Sequence, residues 1–170
     1  MPLSGKKKVE SRISIGLCSN MDGNEKLDPI VINKSLNPRC FAAIDVSKLP
    51  VYFHANANSW TTGGIFAIWL KAINLKMSGQ KVLLLLDNAT SHVNLKLSNV
   101  HIHFLSPNTT SHLQPMDAGI IRNFKLKYKA QFVQWLLDMV TAGTEEKKLD
   151  VLSAIRIVVK SWAEVRPETI

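Results

Sequence analysis

Two acids in this chain stand where a fold can put them to chemical use. Asp87 ends the apolar run Val82-Leu83-Leu84-Leu85-Leu86, and Asp117 follows Leu113-Gln114-Pro115-Met116 and opens a long amphipathic pattern. An acid at the end of a buried strand and another at the start of a helix can be brought together by the fold. Two carboxylates so placed can hold a divalent metal for phosphoryl transfer. Asn88, Ser91 and His92 follow the first acid, and Asn108, Thr109, Thr110 and Gln114 precede the second. His92 suits packing or hydrogen bonding better than general-base work, because two-metal sites activate water through the ions. Asn108, Thr109, Thr110 and Gln114 suit a turn fixed by side-chain to backbone hydrogen bonds. Plainer roles exist for the acids as well. Asp-Asn is a common turn pair, and Asp117 fits a helix N-cap or a first-turn acid favoured by the helix dipole.

Several elements must position these residues. Ile13, Ile15 and Leu17 alternate with Arg12, Ser14 and Gly16, the pattern of a strand with one buried face. Asp22-Gly23 marks a hairpin turn, and Pro29-Ile30-Val31-Ile32 is the return strand. The stretch 33–58 reads as an irregular connection with breakers at Asn37-Pro38 and Leu49-Pro50. Val51-Tyr52-Phe53 forms a brief strand within it. A helix capped by Ser59, Thr61 or Thr62 follows, with Ile65, Phe66, Trp69, Ala72 and Ile73 on its apolar face and Ser78-Gly79 at its end. The run 81–86 is apolar on both faces, as in a strand at the middle of a sheet. A short helix fits 89–98, and Val100, Ile102 and Phe104 alternate with His101 and His103 as another strand.

From Asp117 the positions Ile120, Ile121, Phe124, Tyr128, Phe132, Trp135, Leu136 and Met139 repeat at helical spacing. Arg122, Lys125, Lys127 and Lys129 fall on the outer side of this helix, either flanking a DNA path by phosphate contact or forming an ordinary solvated face. A last helix runs from about Leu149 through Trp162 to Pro167. Trp69, Trp135 and Trp162 fall on apolar faces as core residues, and no stacking platform for single strands is evident. The sum is an α/β domain with a mixed sheet.

The 170 residues suffice for one domain with a real core, and 46% hydrophobic with 20% charged residues is a globular composition. Against 13 acids stand 21 lysines and arginines, a net charge of +8 that favours a polyanionic partner such as nucleic acid. Cys18 and Cys40 show no zinc spacing, which suits reduced thiols in a cytosolic or nuclear protein. No apolar run reaches the roughly 18 residues of a membrane span, so no membrane partner is expected. No nucleophile elbow, phosphate loop or zinc motif points to another hydrolase.

The strings Leu86-Asp87-Asn88-Ala89-Thr90-Ser91-His92 and, from Leu105 to Ile121, Leu-Ser-Pro-Asn-Thr-Thr-Ser-His-Leu-Gln-Pro-Met-Asp-Ala-Gly-Ile-Ile resemble the catalytic core of pogo/Tigger-type DDE transposases. Centromere protein B-like and jerky-like proteins are domesticated relatives of that family. The resemblance extends through Cys18-Ser19-Asn20-Met21-Asp22-Gly23 and Lys34 to Phe41, and downstream through Ser161-Trp162-Ala163-Glu164-Val165 to Ile170. It implies a ribonuclease H-like fold, with residues 11–170 as a DDE endonuclease core segment after a polar tail over 1–10. Asp87 matches the family's second catalytic acid and Asp117 its third, 30 positions later. Together with a first Asp they would bind Mg2+ or Mn2+ for DNA strand cleavage and transfer.

The family's first Asp lies on a strand upstream of the matching segment, and Asp22 in a hairpin turn, Asp28 at a strand edge and Asp45 in a loop do not replace it. In the family's 3-2-1-4-5 strand order that first strand is central. The strands of Ile13 to Leu17 and Val82 to Leu86 are therefore expected to show open edges, a hazard for self-association. Two functions follow from the resemblance. One is a catalytic-core segment that is inactive in this chain because the first Asp is absent. The other is a domesticated nuclear DNA-binding or interaction domain without catalysis. Lys6-Lys7-Lys8 is compatible with nuclear import.

Overall fold

The computed structural model describes residues 12–106, 116–143 and 148–170, with the backbone alone at Asp117 and Ala118. The polar tail over 1–10 and the turn holding Asn108 and Gln114 lie outside the described residues. Within them the chain is mixed α/β, built on two small sheets. β1 (Ser14–Gly16) pairs antiparallel with β2 (Ile30–Asn33), and β2 pairs in parallel with β3 (Tyr52–Ala55). β4 (Val82–Leu86) and β5 (Val100–Phe104) form a separate parallel pair, in register from Val82 opposite Val100 to Leu86 opposite Phe104. Among the described residues β1 has only β2 as a neighbour and β4 only β5. Within the described residues both strands therefore show the open edge expected from the sequence.

The β1–β2 connection is held by Asn20. Its N–H donates to the Glu25 carbonyl at 2.9 Å, and its Oδ1 accepts the Glu25 N–H at 3.1 Å. Gly23 sits in this turn at φ 68, and an added Cβ would lie 2.7 Å from the Cα of Pro167. Both the dihedral and the close approach demand glycine. The turn thereby seats against the C-terminal segment.

Helix α1 (Gly63–Lys76) is capped as expected: Thr62 Oγ1 accepts the Ile65 N–H at 3.3 Å. Met77 closes the other end, with Gly79 at φ 83 just beyond. Its buried face is Ile65, Phe66, Trp69, Leu70 and Ile73. Leu70, fully buried, takes the central place expected for Ala72. This face packs on Ile30 and Ile32 of β2 and on Leu86 and Val100 of the second sheet, so one helix spans both.

The opposite face of the first sheet carries α2 (Ile121–Thr141) and α3 (Val151–Ala163). Val31 there packs with Phe124, Ile155, Val158 and Trp162, and the Trp162 indole N–H donates to the Leu27 carbonyl at 3.0 Å. Asp150 caps α3 by accepting the Ser153 N–H at 2.7 Å. Lys26, just ahead of β2, fastens the far end. Its ammonium donates to the carbonyls of Trp162, Ala163 and Val165 at 2.9, 3.1 and 2.7 Å and lies 5.3 Å from the Trp162 ring centre. These carbonyls belong to the last turn and exit of α3, where a cation is favoured.

Four expectations need correction. No helix forms over 89–98, where the chain runs in turns and irregular backbone. β4 is not apolar because it is enclosed. Leu83 and Leu85 are 60% and 47% exposed, since the strand has one neighbour and no covering layer on that side. Asp117 is not the N-cap of the long helix, because a wide turn over Met116–Ile120, with Gly119 at φ 147, separates it from the regular helix starting at Ile121. Trp135 is not core. The second half of α2 runs past the packed layers, leaving Trp135 half-buried on Phe132 and Leu136, Leu137 and Val140 exposed.

Both cysteines are free, and burial pushes the Cys18 thiol up to about 11. No described helix is long and apolar enough to cross a membrane. Replacing Lys26 by Met, which keeps the aliphatic stem, removes three charge-assisted hydrogen bonds and is expected to cost about 1–3 kcal/mol. Urea denaturation would show this as a lower midpoint at unchanged slope.

Candidate active site

Asp87 is the first residue past β4, at the carboxyl end of the strand, where parallel α/β sheets place their ligand sites. The strand delivers it there because Leu84 and Leu86 are anchored toward α1, leaving the chain to turn at Asp87-Asn88. Its carboxylate oxygen Oδ1 lies 2.7 Å from His92 Nδ1 and accepts the Ala89 N–H at 3.2 Å. The same Nδ1 is 3.1 Å from the Asp87 carbonyl oxygen. The His92 N–H donates to the Ala89 carbonyl at 2.8 Å, closing the turn that brings the ring back. Its imidazole stacks on Phe66 of α1, ring centres 4.5 Å apart. The pair is partly open to solvent, with side-chain exposures of 29% for Asp87 and 19% for His92.

The chemistry of this pair is set by its donors. Both contacts of Nδ1 are to oxygens that only accept, so Nδ1 carries a hydrogen and points it at the acid. His92 packs on Phe66 and hydrogen-bonds the acid. It orients one carboxylate oxygen through a ring fixed by Phe66. Asn88 follows the acid directly. Its side-chain amide donates to the Leu105 carbonyl, and the Leu105 N–H donates to the Leu86 carbonyl at 2.8 Å. The ends of β4 and β5 are clamped together where the acid leaves the sheet.

The other expected site residues are placed differently. The backbone of Asp117 lies in the wide turn Met116–Ile120, and its side chain lies outside the described residues. Met116 and the buried Ile120 anchor that turn to the cluster around Val31 and Trp162. Arg122, Lys125 and Lys129 are exposed and, at i, i+3 and i+7, share one side of α2. Lys127 departs from them. It faces a shallow cleft with Asn123, Glu164, Arg166 and Glu168, where acids stand close by. Among the described residues no three His, Cys, Asp or Glu side chains are grouped closely enough to hold a metal ion.

A family model described as "DDE superfamily endonuclease" matches residues 10–170. The chain belongs to this family. This DDE endonuclease segment is 34% identical to mouse Tigger transposable element-derived protein 4 over 96% of its own length and 32% of that protein's. It is 31% identical to ARS-binding protein 1 of Schizosaccharomyces pombe over 99% of its length and 35% of the relative. Human major centromere autoantigen B is 30% identical over 96% of this chain and 27% of its own. The DDE segment therefore spans about a third of these relatives. No solved structure matches it significantly.

In the DDE segment Asp87 fits a hard cation by donor type, an oxygen ligand partly open to solvent at a strand end. Replacing Asp87 by Ala removes an acceptor for the His92 ring and the Ala89 N–H, for an expected loss of about 1–2 kcal/mol. Long-range nitrogen–proton correlation should show the His92 proton on Nδ1 in the parent chain and a shift toward Nε2 in the variant. A ring unchanged by the substitution would assign the tautomer to the Asp87 backbone carbonyl, 3.1 Å from the same Nδ1, rather than to the carboxylate.

Proposed function

We propose that this chain is the catalytic-core segment of a pogo/Tigger-type DDE transposase, descended from an enzyme that cleaves and joins DNA strands with divalent metal. The observation supporting it is Asp87 at the carboxyl end of β4, oriented by His92, in a sheet whose β4 keeps one edge open. A strand inserted between β1 and β4 would pair with both and merge two sheets into one, in the order β3-β2-β1-insert-β4-β5. That is the ribonuclease H-like order with β3 as an additional edge strand. α1 already packs across both sheets, so the insertion needs no new layer on that face. Such a strand would bring the missing acid to the end of the sheet where Asp87 stands.

Asp87, Asp117 and that acid would then hold Mg2+ or Mn2+. When bound, the metal supplies a polarised phosphate and an activated water or 3′ hydroxyl. The chain's own residues supply orientation. His92 turns the Asp87 carboxylate, and Asn88 fixes the strand end from which it projects. With the first acid absent, the 170-residue chain does not cut DNA by itself.

A second reading is favoured by one observation, the exposed side of α2 bearing Arg122, Lys125 and Lys129. It is a domesticated nuclear DNA-associated domain without catalysis, binding phosphates nonspecifically. In this reading the open edges of β1 and β4 pair with a second copy rather than with an inserted strand.

Two measurements separate the readings. A polypeptide extended by an Asp-bearing strand should nick supercoiled DNA with Mn2+, while the 170-residue chain, Asp87→Asn and Asp117→Asn should not. Absence of nicking in the extended form leaves the second reading. Replacing Arg122, Lys125 and Lys129 together by Gln should lower the slope of log affinity against log salt by about 2–3, at about 0.9 for each phosphate no longer neutralised. An unchanged slope would remove these residues from the DNA path.

A further inference from the structure

Among the tryptophans, Trp69 and Trp162 are each 4% exposed and Trp135 rests on Phe132, whereas Trp60 is 68% exposed. A lone exposed aromatic residue needs no explanation. The turn that carries this one does.

Asn56 holds the backbone of Trp60 at both of its polar groups. Its Oδ1 accepts the N–H of Trp60 and that of Asn58, each at 3.0 Å, and its amide donates to the Trp60 carbonyl. Asn56 is itself tied to β2, its N–H donating to the Asn33 carbonyl at 3.0 Å. Between them Ser59 sits at φ 56, the one positive φ at a non-glycine among the described residues, and is 4% exposed. A left-handed serine is strained, and such strain collects at ligand-binding positions. A flexible loop would let the indole turn onto the protein surface. This turn fixes its backbone in place.

The position is informative as well. Trp60 stands two residues before the Thr62 cap of α1. A Cβ on Gly63 would lie 3.0 Å from Val93, and Phe66, in the first turn, stacks on the His92 ring that holds Asp87. The end of α1 that follows Trp60 is therefore the end against the acid. An indole exposed just ahead of the helix end that backs a basic chain's candidate phosphoryl-transfer site suits a nucleobase, because every base has a π-face and stacking tolerates sequence.

We infer that Trp60 is a stacking platform for an unpaired nucleobase of DNA held at the Asp87 end of the domain. The inference rests on the DNA reading above and adds that the strand there is unstacked rather than smooth duplex. An indole–base stack carries specificity for strand state and none for sequence.

The test is a binding titration of this chain with a mixed-sequence single-stranded oligonucleotide and with the matching blunt duplex. Trp60→Ala should weaken single-strand binding by about fivefold to 150-fold, the range of one base–aromatic stack. Its salt slope and duplex affinity should stay unchanged, and Trp60→Phe should keep most of the affinity. The oligonucleotide should also shield the exposed indole from acrylamide quenching. Unchanged single-strand binding by a folded Trp60→Ala, with binding still weakened in the Arg122, Lys125 and Lys129 variant, overturns the platform and leaves the DNA reading intact. A parent chain that binds neither DNA at low salt removes both. An indole already shielded without DNA assigns Trp60 to a protein contact and overturns the inference.

Discussion

The burial of one helix face against two sheets is the constraint on which the rest of this structure depends. Phe66, Trp69, Leu70 and Ile73 of α1 bring residues of β2 and of the β4–β5 pair into a single cluster. Burial of such side chains is worth about 1.5–3 kcal/mol each, and the term is non-directional. The helix can therefore hold a three-stranded sheet and a strand pair together without a hydrogen-bonded ladder between them. That packing sets where β4 ends and hence where Asp87 projects. Phe66 does double duty, filling the cluster and backing the His92 ring.

The other face of the first sheet is secured by polar contacts as much as by packing. Lys26 occupies three carbonyls at the end of α3, and the Trp162 indole reaches across to Leu27. Gly23 lets the neighbouring turn approach Pro167. These contacts join residues more than 130 positions apart in sequence, so the two ends of the described chain close on each other. The exposed Leu83 and Leu85 on β4 and the apolar end of α2 are what this closure leaves uncovered.

Much of this was legible beforehand because it rests on local rules. The alternation of Ile13, Ile15 and Leu17, the Asp22-Gly23 turn, the Thr62 cap and the strand ending at Asp87 each depend on neighbours within a few positions. The family resemblance was legible for a similar reason, since it lies in contiguous strings around Asp87 and Asp117. It also anticipated the open edges of β1 and β4. Periodicity misled where it was taken for burial. Leu83, Leu85 and Leu136 have the right spacing, but nothing described covers them, and Trp135 is covered only in part, by Phe132.

By itself the sequence determined the α/β class, most of the element order, the basic charge and the acids with the strings around them. Only tertiary structure decided that Asp87 is paired with His92 and that Lys127 faces a cleft with acids while Arg122, Lys125 and Lys129 lie exposed. It alone decided that the long helix starts after a wide turn, and that the backbone of Trp60 is fixed with its indole exposed. Each of these depends on which atoms approach across the fold. A residue's type and spacing fix what it can offer, and packing fixes what it meets.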